Sequence, residues 1–299
     1  MSRNTQLIAL FCFAAVGCAP DRPAAPAGPP ALSDAEAQLV GHEVAGEVED
    51  VAGSFTLGGL LIPSFPSAGI AASSTVQPSS TATCPTLSPN PPVDTDGDRI
   101  PDDLTISFTL PECSFSRNGA TLAITGTIEV SDLSPTDFGI RVVFTDLKHK
   151  VSRDSGAAFF SSDLSGARQV LKSSSEFSLH DSTTVDLESS DHGAAQLAKA
   201  WVVGFVADAG QTFDGLRPLP SGDVTVNGSM SRTRESTTHS FSVTTVTPLH
   251  HDATCTERPA FTAGELTVVK TGPDGTVTIH IVFNGCGVDP TVTVERAAV

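Results

Sequence analysis

Apolar and polar residues alternate along much of the chain from Leu104 onward, and this period of two constrains the fold more than any other feature. In the run 104–110, leucine, isoleucine and phenylalanine stand at every second position, with threonine and serine between them. This alternation predicts β-strands with one buried face and one wet face. Antiparallel sheets tolerate a wet face, whereas strands of buried parallel sheets read as continuous apolar runs. The sequence therefore predicts a mainly β protein with an antiparallel sheet.

Local pairing of these strands predicts a meander. The clearest hairpin consists of residues 265–270, a turn over 271–275 that contains glycine and proline, and a second strand over 276–283. Similar alternation recurs in segments around Leu122–Val130, Ile140–Phe144, Phe177–Leu179, Val185–Leu187, Val224–Val226, Phe241–Val243 and Val292–Val294. We expect one dominant sheet over a single β-rich domain, residues 33–299, which curls into a partly closed barrel or folds over as a sandwich.

One amphipathic helix is expected before the sheet, over residues 34–52. Ser33 and Glu36 have the spacing of a capping box, in which each side chain bonds the backbone amide of the other residue. The residues that follow at helical spacing form one apolar stripe: Ala37, Val40, Val44, Val48 and Val51. This stripe favours a lid packed on the sheet over a helix that binds a partner.

A second helical turn is conceivable over Ala194–Ala200. It would lead into residues 201–206, whose nearly continuous apolar run is typical of a strand buried on both faces. The Ser, Thr and Pro content of residues 73–92 indicates a surface loop.

The first 17 residues have the pattern of a secretory signal peptide. Arg3 precedes a short apolar run that ends in small residues, and the run is too short to span a membrane permanently. The segment Ala15–Cys18 resembles the lipobox of bacterial lipoproteins, which implies a diacylglycerol group on Cys18 and a lipid-anchored protein of the bacterial cell envelope. Ordinary signal cleavage near Ala19 is the alternative. Residues 18–32 are rich in Pro and Ala and are typical of a tether.

The net charge argues against one class of partner. The chain carries 17 Lys and Arg against 34 Asp and Glu, which gives a formal net charge of −17. Nucleic-acid binding needs a basic surface that displaces phosphate counterions. We therefore expect no nucleic-acid partner, and the remaining partners are the membrane, through the N-terminal lipid, and an unidentified protein or apolar ligand.

Four cysteines remain after the leader and the lipidation site are set aside. They are Cys84, Cys113, Cys255 and Cys286. An even number in an exported protein predicts disulfides, and of the three connectivities we favour Cys84 with Cys113 and Cys255 with Cys286, because each pair flanks one compact segment. A Cys₄ zinc site is the alternative, but the sequence has no close CxxC pair.

The segment 94–103 carries five carboxylates in ten residues, a pattern that suits calcium. The implied ligands are Asp94, Asp96 and Asp98 at loop positions one, three and five, the carbonyl of Ile100 at position seven, and Asp102 at position nine. The alternative interpretation is a solvated acidic turn.

These ten residues resemble the calcium loops of thrombospondin type 3 repeats. Two positions depart from the pattern, because Arg99 stands where the sharp turn normally requires Gly, and Thr105 stands where a complete loop has a bidentate carboxylate. We expect a dissociation constant of roughly 10⁻⁴ to 10⁻³ M, the range of extracellular modules.

The sequence shows no GxSxG, HExxH or GxxxxGK[ST] motif, so we predict no enzymatic activity. His250, His251 and Asp252 could supply metal ligands for a hydrolase, but adjacent residues of an extended segment point to opposite sides. His280 lies on the threonine-bearing face of its strand and is expected to be a solvated or cross-strand residue.

The resulting hypothesis is a non-catalytic envelope lipoprotein with a structural or interaction role, stabilised by disulfides and calcium. The alternative is a periplasmic carrier that binds a lipid or other apolar ligand between the sheet and the helix. An apolar cavity of several hundred Å³ beneath the helix would favour the carrier, and a filled core would favour the display of a structural module.

Overall fold

The computed structural model describes residues 32–55, 60, 84–111, 113–117, 119–153, 156–173, 176–191, 193–272 and 275–297. In this part of the chain, one helix precedes thirteen strands, all of whose pairings are antiparallel. The helix α1 spans Asp34–Gly53. The strands are β1 (Thr86–Ser88), β2 (Asp103–Phe108), β3 (Ser114–Arg117), β4 (Ala120–Asp132), β5 (Gly139–Arg153), β6 (Ala158–Ser173), β7 (Glu176–Ser189), β8 (Gly193–Ala207), β9 (Gly222–Arg234), β10 (Thr237–His251), β11 (Phe261–Gly272), β12 (Gly275–Val282) and β13 (Thr291–Ala297).

The strands form a single sheet in the order β1-β2-β4-β5-β6-β7-β8-β9-β10-β11-β12-β13, and β3 pairs with β4. Strands β2 and β3 occupy different stretches of β4, since β2 pairs with residues 126–131 and β3 with residues 120–123. From β4 onward every strand pairs with the next strand of the chain. The predicted antiparallel meander is confirmed, and the hydrogen bonds among the described strands do not close it into a barrel.

The helix begins at the predicted capping box. The Ser33 amide donates to Glu36 Oε2 over 2.9 Å, and the Glu36 amide donates to Ser33 Oγ over 3.3 Å. The whole predicted apolar stripe is buried, as its members Ala37, Val40, Val44, Val48 and Val51 have exposed fractions of zero. The predicted amphipathic helix and its packing against the sheet are therefore confirmed.

The sheet curves around α1. Arg168 on β6 donates to Ser54 at the C-terminal end of the helix, and the amide of Ala260, directly before β11, donates to Glu49. Five strand spacings separate β6 from β11, which would be about 24 Å in a flat sheet. Glu49 and Ser54 are five residues apart, which is only about 7.5 Å along a helix. These contacts with one end of the helix indicate that the sheet is curved.

Two glycines mark places where neighbouring strands approach closely. Gly166 has φ +120°, and a Cβ there would lie 2.2 Å from the carbonyl oxygen of Ser182. Gly228 has φ +147°, and its Cβ would lie 2.1 Å from the carbonyl oxygen of Ala200. Glycine kinks of this kind allow a sheet to bend sharply. They lie in the middle of β6 and β9.

The structure corrects two expectations about β8. Residues 194–200 form part of a continuous strand and not a helical turn, because they pair along their length with β7 and β9. The strand is not buried on both faces, since Val202 and Val206 are 47% and 46% exposed while Trp201 and Val203 are buried. An apolar run of this length does not distinguish a fully buried strand from one that carries valines on its wet face. Of the expected loop over 73–92, residues 73–83 lie outside the described residues, and the remaining part contains the short strand β1.

Two disulfides have the predicted connectivity. Cys84 is bonded to Cys113 and Cys255 to Cys286, with Cα–Cα distances of 5.2 and 5.7 Å. The first closes the segment that contains β1 and β2, and the second joins the β10–β11 connection to the β12–β13 connection. The Cys₄ zinc alternative is wrong, because these four thiols are paired with one another.

No helix among the described residues has the length and apolar character needed to cross a membrane. The predicted signal peptide, residues 1–17, and Cys18 lie outside the described residues, as does all of the predicted tether except Leu32. Leu32 is buried, and its carbonyl oxygen accepts a hydrogen bond of 2.6 Å from Arg296.

Candidate functional site

A cavity of about 960 Å³ lies beside α1, between the helix and the sheet. The helix contributes a second face that is distinct from its buried stripe and contains Leu39, His42, Gly46 and Glu49. These positions are three or four residues apart and therefore share one side of a helix. Ligand cavities in proteins are typically about 300–1,000 Å³, so the volume suits a small organic ligand.

The opposite wall comes from the ends of the long central hairpins. Apolar side chains from β5 to β8 line it, including Val151, Phe160, Leu187 and Ala195. The cross-strand pair Leu187 and Ala195 places the last two next to each other on the wall. The helix lines the cavity from Leu39 to Asp50, a length of about 16 Å. The cavity therefore extends along about three turns of the helix.

The carboxylates that the helix presents to this cavity have partners in the protein. Glu43 pairs with Arg232 over 3.0 Å, and Asp50 pairs with Arg258 over 3.0 Å. Glu49 accepts a hydrogen bond of 2.8 Å from the amide of Ala260. The fourth carboxylate belongs to Glu47, which pairs with Lys199. The lining also contains Arg153, Glu188, Asp191, Arg234 and Asp289, so charged and apolar side chains share the cavity wall.

Burial shifts the pKa of three of these groups in the same direction. Desolvation raises the pKa of Glu43, and the neighbouring Arg232 opposes the shift. Desolvation also raises the pKa of Glu49, against the hydrogen bond from Ala260. The pKa of Asp50 is raised by desolvation and then by Glu47, and Arg258 opposes both effects. Partial burial of these carboxylates, which disfavours their charged form, is the first cause of all three shifts.

Below the helix, the concave face of the sheet holds a buried ionic cluster. Its members are Glu47, Arg168, Asp181 and Lys199, none with a side chain more than 8% exposed. Arg168 Nε lies 3.3 Å from Asp181 Oδ2, and Lys199 Nζ lies 3.8 Å from the same oxygen. Lys199 also contacts Glu47, and Arg168 Nη1 donates to Ser54 Oγ over 3.0 Å. The cluster therefore links Arg168, Asp181 and Lys199 of the sheet to two positions of the helix, Glu47 and the C-cap residue Ser54.

Sequence reasoning missed this cluster and the cavity. Arg168, Asp181 and Lys199 occupy the same strand phase as the buried residues Val170, Leu179 and Leu197. The sequence does contain a signal for the cluster, because each of these charged residues stands at a position where the alternation predicts a buried side chain. Charged residues are rarely buried unless they have a partner.

The predicted calcium ligands occupy an exposed loop before β2. Carboxylate oxygens of Asp94, Asp96 and Asp98 lie within 4.8 Å of one another. Arg99 adopts φ +78°, so the sharp turn at position six is present in spite of its side chain. Asp102, in contrast, is directed to Thr95, whose amide and hydroxyl both donate to it. The loop thus brings three of the expected side-chain ligands together and separates the fourth.

Hydrogen bonds inside this loop use several of the same oxygens. Asp94 accepts from the amides of Gly97 and Arg99, over 2.7 and 3.0 Å. Asp98 accepts from the amide of Ile100, and desolvation raises its pKa, with the neighbouring carboxylates adding to the shift. Ile100 itself has a buried side chain. The described geometry fits both a cation-binding loop and a self-bonded acidic turn.

The histidines do not form a joint site. His250 Nδ1 lies 3.0 Å from Asp223, while His251 Nδ1 lies 3.1 Å from the carbonyl oxygen of Pro220. Their partners differ, and Asp252 bonds instead to Thr254. His280 lies between strands, with Nδ1 3.0 Å from Glu265 on β11. The structure therefore does not bring together the residues of the hydrolase alternative.

Comparison with known proteins gives no relative. No protein-family model, no curated protein and no solved structure matches this chain. A proposal about function therefore has to be argued from the cavity, the charges and the sequence motifs.

Proposed function

We propose that this protein is a non-catalytic carrier of the bacterial cell envelope that holds an apolar ligand between α1 and the sheet. The cavity of about 960 Å³ is the observation that supports this proposal. The space directly beneath α1 is filled, and the cavity lies instead along the more exposed face of the helix that carries Leu39, where it is open to solvent. An open space of this size, lined in part by apolar side chains, allows a small ligand to enter and supports the carrier over a module for display.

The lipid anchor on Cys18 is part of the same proposal. The lipobox of residues 15–18 supports it, and the Pro- and Ala-rich segment that follows would hold the β domain away from the membrane surface. Intact mass of the membrane fraction tests the anchor, which requires a mature N-terminus at Cys18 that carries acyl chains. An unmodified N-terminus, or a Cys18→Ala variant that stays in the membrane fraction, would contradict it.

Calcium binding at Asp94, Asp96 and Asp98 is proposed as a structural role. The loop lies inside the segment closed by Cys84 and Cys113, and it leads directly into β2. A cation there would reduce the repulsion among neighbouring carboxylates and hold the start of the sheet in place. It is distant in the sequence from every residue that lines the cavity, so we assign it no part in ligand binding.

Direct binding measurements test the carrier. The full mature chain with Cys18→Ala, which removes the anchor lipid as a competitor, should bind a fluorescent fatty acid that palmitate then displaces. Leu39 is 44% exposed and lines the cavity, so Leu39→Gln removes an apolar contact at little cost to folding. We expect affinity to fall about 5-fold, equivalent to about 1 kcal/mol of lost apolar contact.

A matched control uses an apolar residue outside the cavity. Val246 is 55% exposed and lies on β10, away from the cavity lining. Val246→Gln likewise replaces a branched apolar end by an amide and should leave the affinity unchanged. The carrier proposal is wrong if the unsubstituted protein binds neither the probe nor palmitate, or if both variants weaken binding equally.

A further inference from the structure

We infer that the end of the sheet from which the tether leaves rests on an anionic membrane surface, and that the cavity exchanges its ligand with that membrane. This inference rests on the proposed anchor and carrier, because it names the partner surface for the same cavity. Three observations carry it: where the tether leaves the domain, how charge is divided between the two ends of the sheet, and which end lines the cavity.

The tether leaves the domain at one end of the sheet. Leu32, the first described residue, is buried, and Arg296 near the C-terminal end of β13 donates to its carbonyl oxygen over 2.6 Å. Because the meander is antiparallel, this end of β13 lies at the same end of the sheet as every second connection between strands. We call it the tether end, and its connections are residues 118–119, 154–157, 190–192, 235–236 and 273–274.

The length of the tether allows this end to touch the membrane. Leu32 lies fourteen positions after Cys18, and a polyproline-type chain of that length reaches about 43 Å. The helix α1 begins beside Arg296 at the tether end, and its 20 residues extend about 30 Å towards the connection that contains Ala260 at the opposite end. A tether that ran back along the domain to bring the opposite end to the membrane would use most of its length on that path.

The two ends of the sheet differ in charge. The connections at the opposite end are residues 89–102, 133–138, 174–175, 208–221, 252–260 and 283–290. With the strand residues that border them, they contain thirteen acidic residues and three arginines, a formal charge of −10. The same count at the tether end gives four acidic residues and three arginines, Arg117, Arg153 and Arg234, a formal charge of −1. A membrane with anionic lipids has a negative surface potential, so it repels the opposite end much more strongly than the tether end.

The cavity reaches the tether end. Its wall opposite the helix is formed by the residues of β5 to β9 nearest to this end, among them Arg153, Phe159 and Arg234. Asp191, in the β7–β8 connection, also lines the cavity and is exposed. A smaller part of the wall, residues 258–259, 283 and 289–290, comes from the opposite end. A cavity that reaches a surface in contact with the membrane allows an apolar ligand to pass between the two without exposing its full surface to water.

Hydrogen exchange on vesicles tests the orientation without any ligand. The mature chain that begins at Cys18 is coupled through this thiol to a maleimide lipid in vesicles of phosphatidylcholine with phosphatidylglycerol, since the other four cysteines are paired. The amides of residues 190–191 and 235–236 should exchange roughly threefold more slowly than in the uncoupled chain, because the membrane covers them. The amides of residues 208–217 and 252–260 should keep their rates. Slowing at the opposite end, or at neither end, would overturn the inference.

Transfer of a ligand to vesicles tests the route. The fluorescent fatty acid bound to the Cys18→Ala chain should pass to vesicles that contain phosphatidylglycerol at a rate proportional to the vesicle concentration, because transfer requires contact. Arg153 is exposed, and Arg153→Glu should slow this transfer roughly threefold or more while transfer to vesicles of phosphatidylcholine alone keeps its rate. Arg217→Glu is the matched control, because Arg217 is 80% exposed at the opposite end, and should leave both rates unchanged.

The outcomes separate this inference from the proposed function. A transfer rate independent of vesicle concentration would show that the ligand leaves through water, which overturns the route while the carrier stands. Equal slowing by Arg153→Glu and Arg217→Glu would overturn the orientation. If the chain binds no fatty acid, the carrier itself is wrong, and hydrogen exchange still decides which end of the sheet meets the membrane.

Discussion

Removing Glu47 from the buried ionic cluster should destabilise the fold strongly. The Lys199 side chain is 2% exposed and that of Glu47 is 8% exposed, so Glu47→Leu leaves an ammonium group without its nearest counter-charge in a site that water hardly reaches. Breaking a buried ion pair by removing one partner typically costs about 3–5 kcal/mol. We expect about 3 kcal/mol, because Lys199 keeps Asp181 at 3.8 Å and the ring of Trp201 at 5.4 Å.

A double substitution separates the cost of an unpaired charge from the loss of a contact. Glu47→Leu combined with Lys199→Met replaces both charges by apolar groups, and Arg168 still accompanies Asp181 at 3.3 Å. Apolar replacements of buried ion pairs are often neutral or stabilising. The double variant should therefore recover most of the unfolding free energy that the single variant loses.

Urea unfolding followed by fluorescence measures these differences directly. Trp201 is the only tryptophan in the chain, is 1% exposed and lies beside Lys199, so its emission reports on the cluster. Arg217→Ala serves as the control, because the Arg217–Asp214 pair is exposed and such pairs contribute about 0–1 kcal/mol. A loss below about 1 kcal/mol for Glu47→Leu, or a double variant less stable than the single one, would refute the argument that this pair is buried and shielded from water.

Three further predictions concern other parts of the molecule. Burial lowers the pKa of His149 to about 4, so its neutral form contributes stability that is fully present above about pH 6.5 and is lost as the pH falls towards 4. In His149→Gln, the free energy of unfolding should fall by about 2–3 kcal/mol less between pH 6.5 and pH 4 than in the parent, which a smaller difference between the urea midpoints at the two pH values would show. An equal difference in both proteins would contradict the lowered pKa of His149. Calorimetric titration should show calcium binding at roughly 10⁻⁴ to 10⁻³ M that Asp96→Ala abolishes and Asp191→Ala preserves, and no heat in the unsubstituted protein would favour the acidic turn. Replacing both Cys255 and Cys286 by Ser opens a loop with a sequence separation of 31 and should lower the free energy of urea unfolding by roughly 3–4 kcal/mol, and an unchanged free energy would contradict the loop-entropy argument.

The pKa shifts on the helix predict the opposite pH trend from that of His149. Glu43, Glu49 and Asp50 have raised pKa values in the folded protein, so each binds its proton more tightly there than in the unfolded chain. Their contribution to stability is present below their ordinary pKa values and is lost as the pH rises through the raised ones. Because these residues are common to the parent and to His149→Gln, their effect cancels in the comparison between the two proteins.

The structural elements that depend on residues close together in the sequence could be predicted from the sequence. The capping box of Ser33 and Glu36 fixes the start of α1, since both of its hydrogen bonds join residues three positions apart. The hairpin of β11 and β12 has its turn between Gly272 and Gly275, within the predicted turn segment. The disulfides also follow from short separations, because each joins the two ends of one compact segment. The run at Trp201 shows where local reasoning fails, since composition alone does not say which face of β8 meets water.

The antiparallel meander, its amphipathic helix and its two disulfides were determined by the sequence alone, because strand period, helix caps and short loops depend on neighbouring residues. Tertiary structure decided that Lys199 meets Glu47 across 152 positions of the chain, and that a cavity remains beside Gly46. Both depend on how sharply the sheet bends around the helix. That curvature is the sum of small twists and glycine kinks over many strands, and no single segment of the chain contains it.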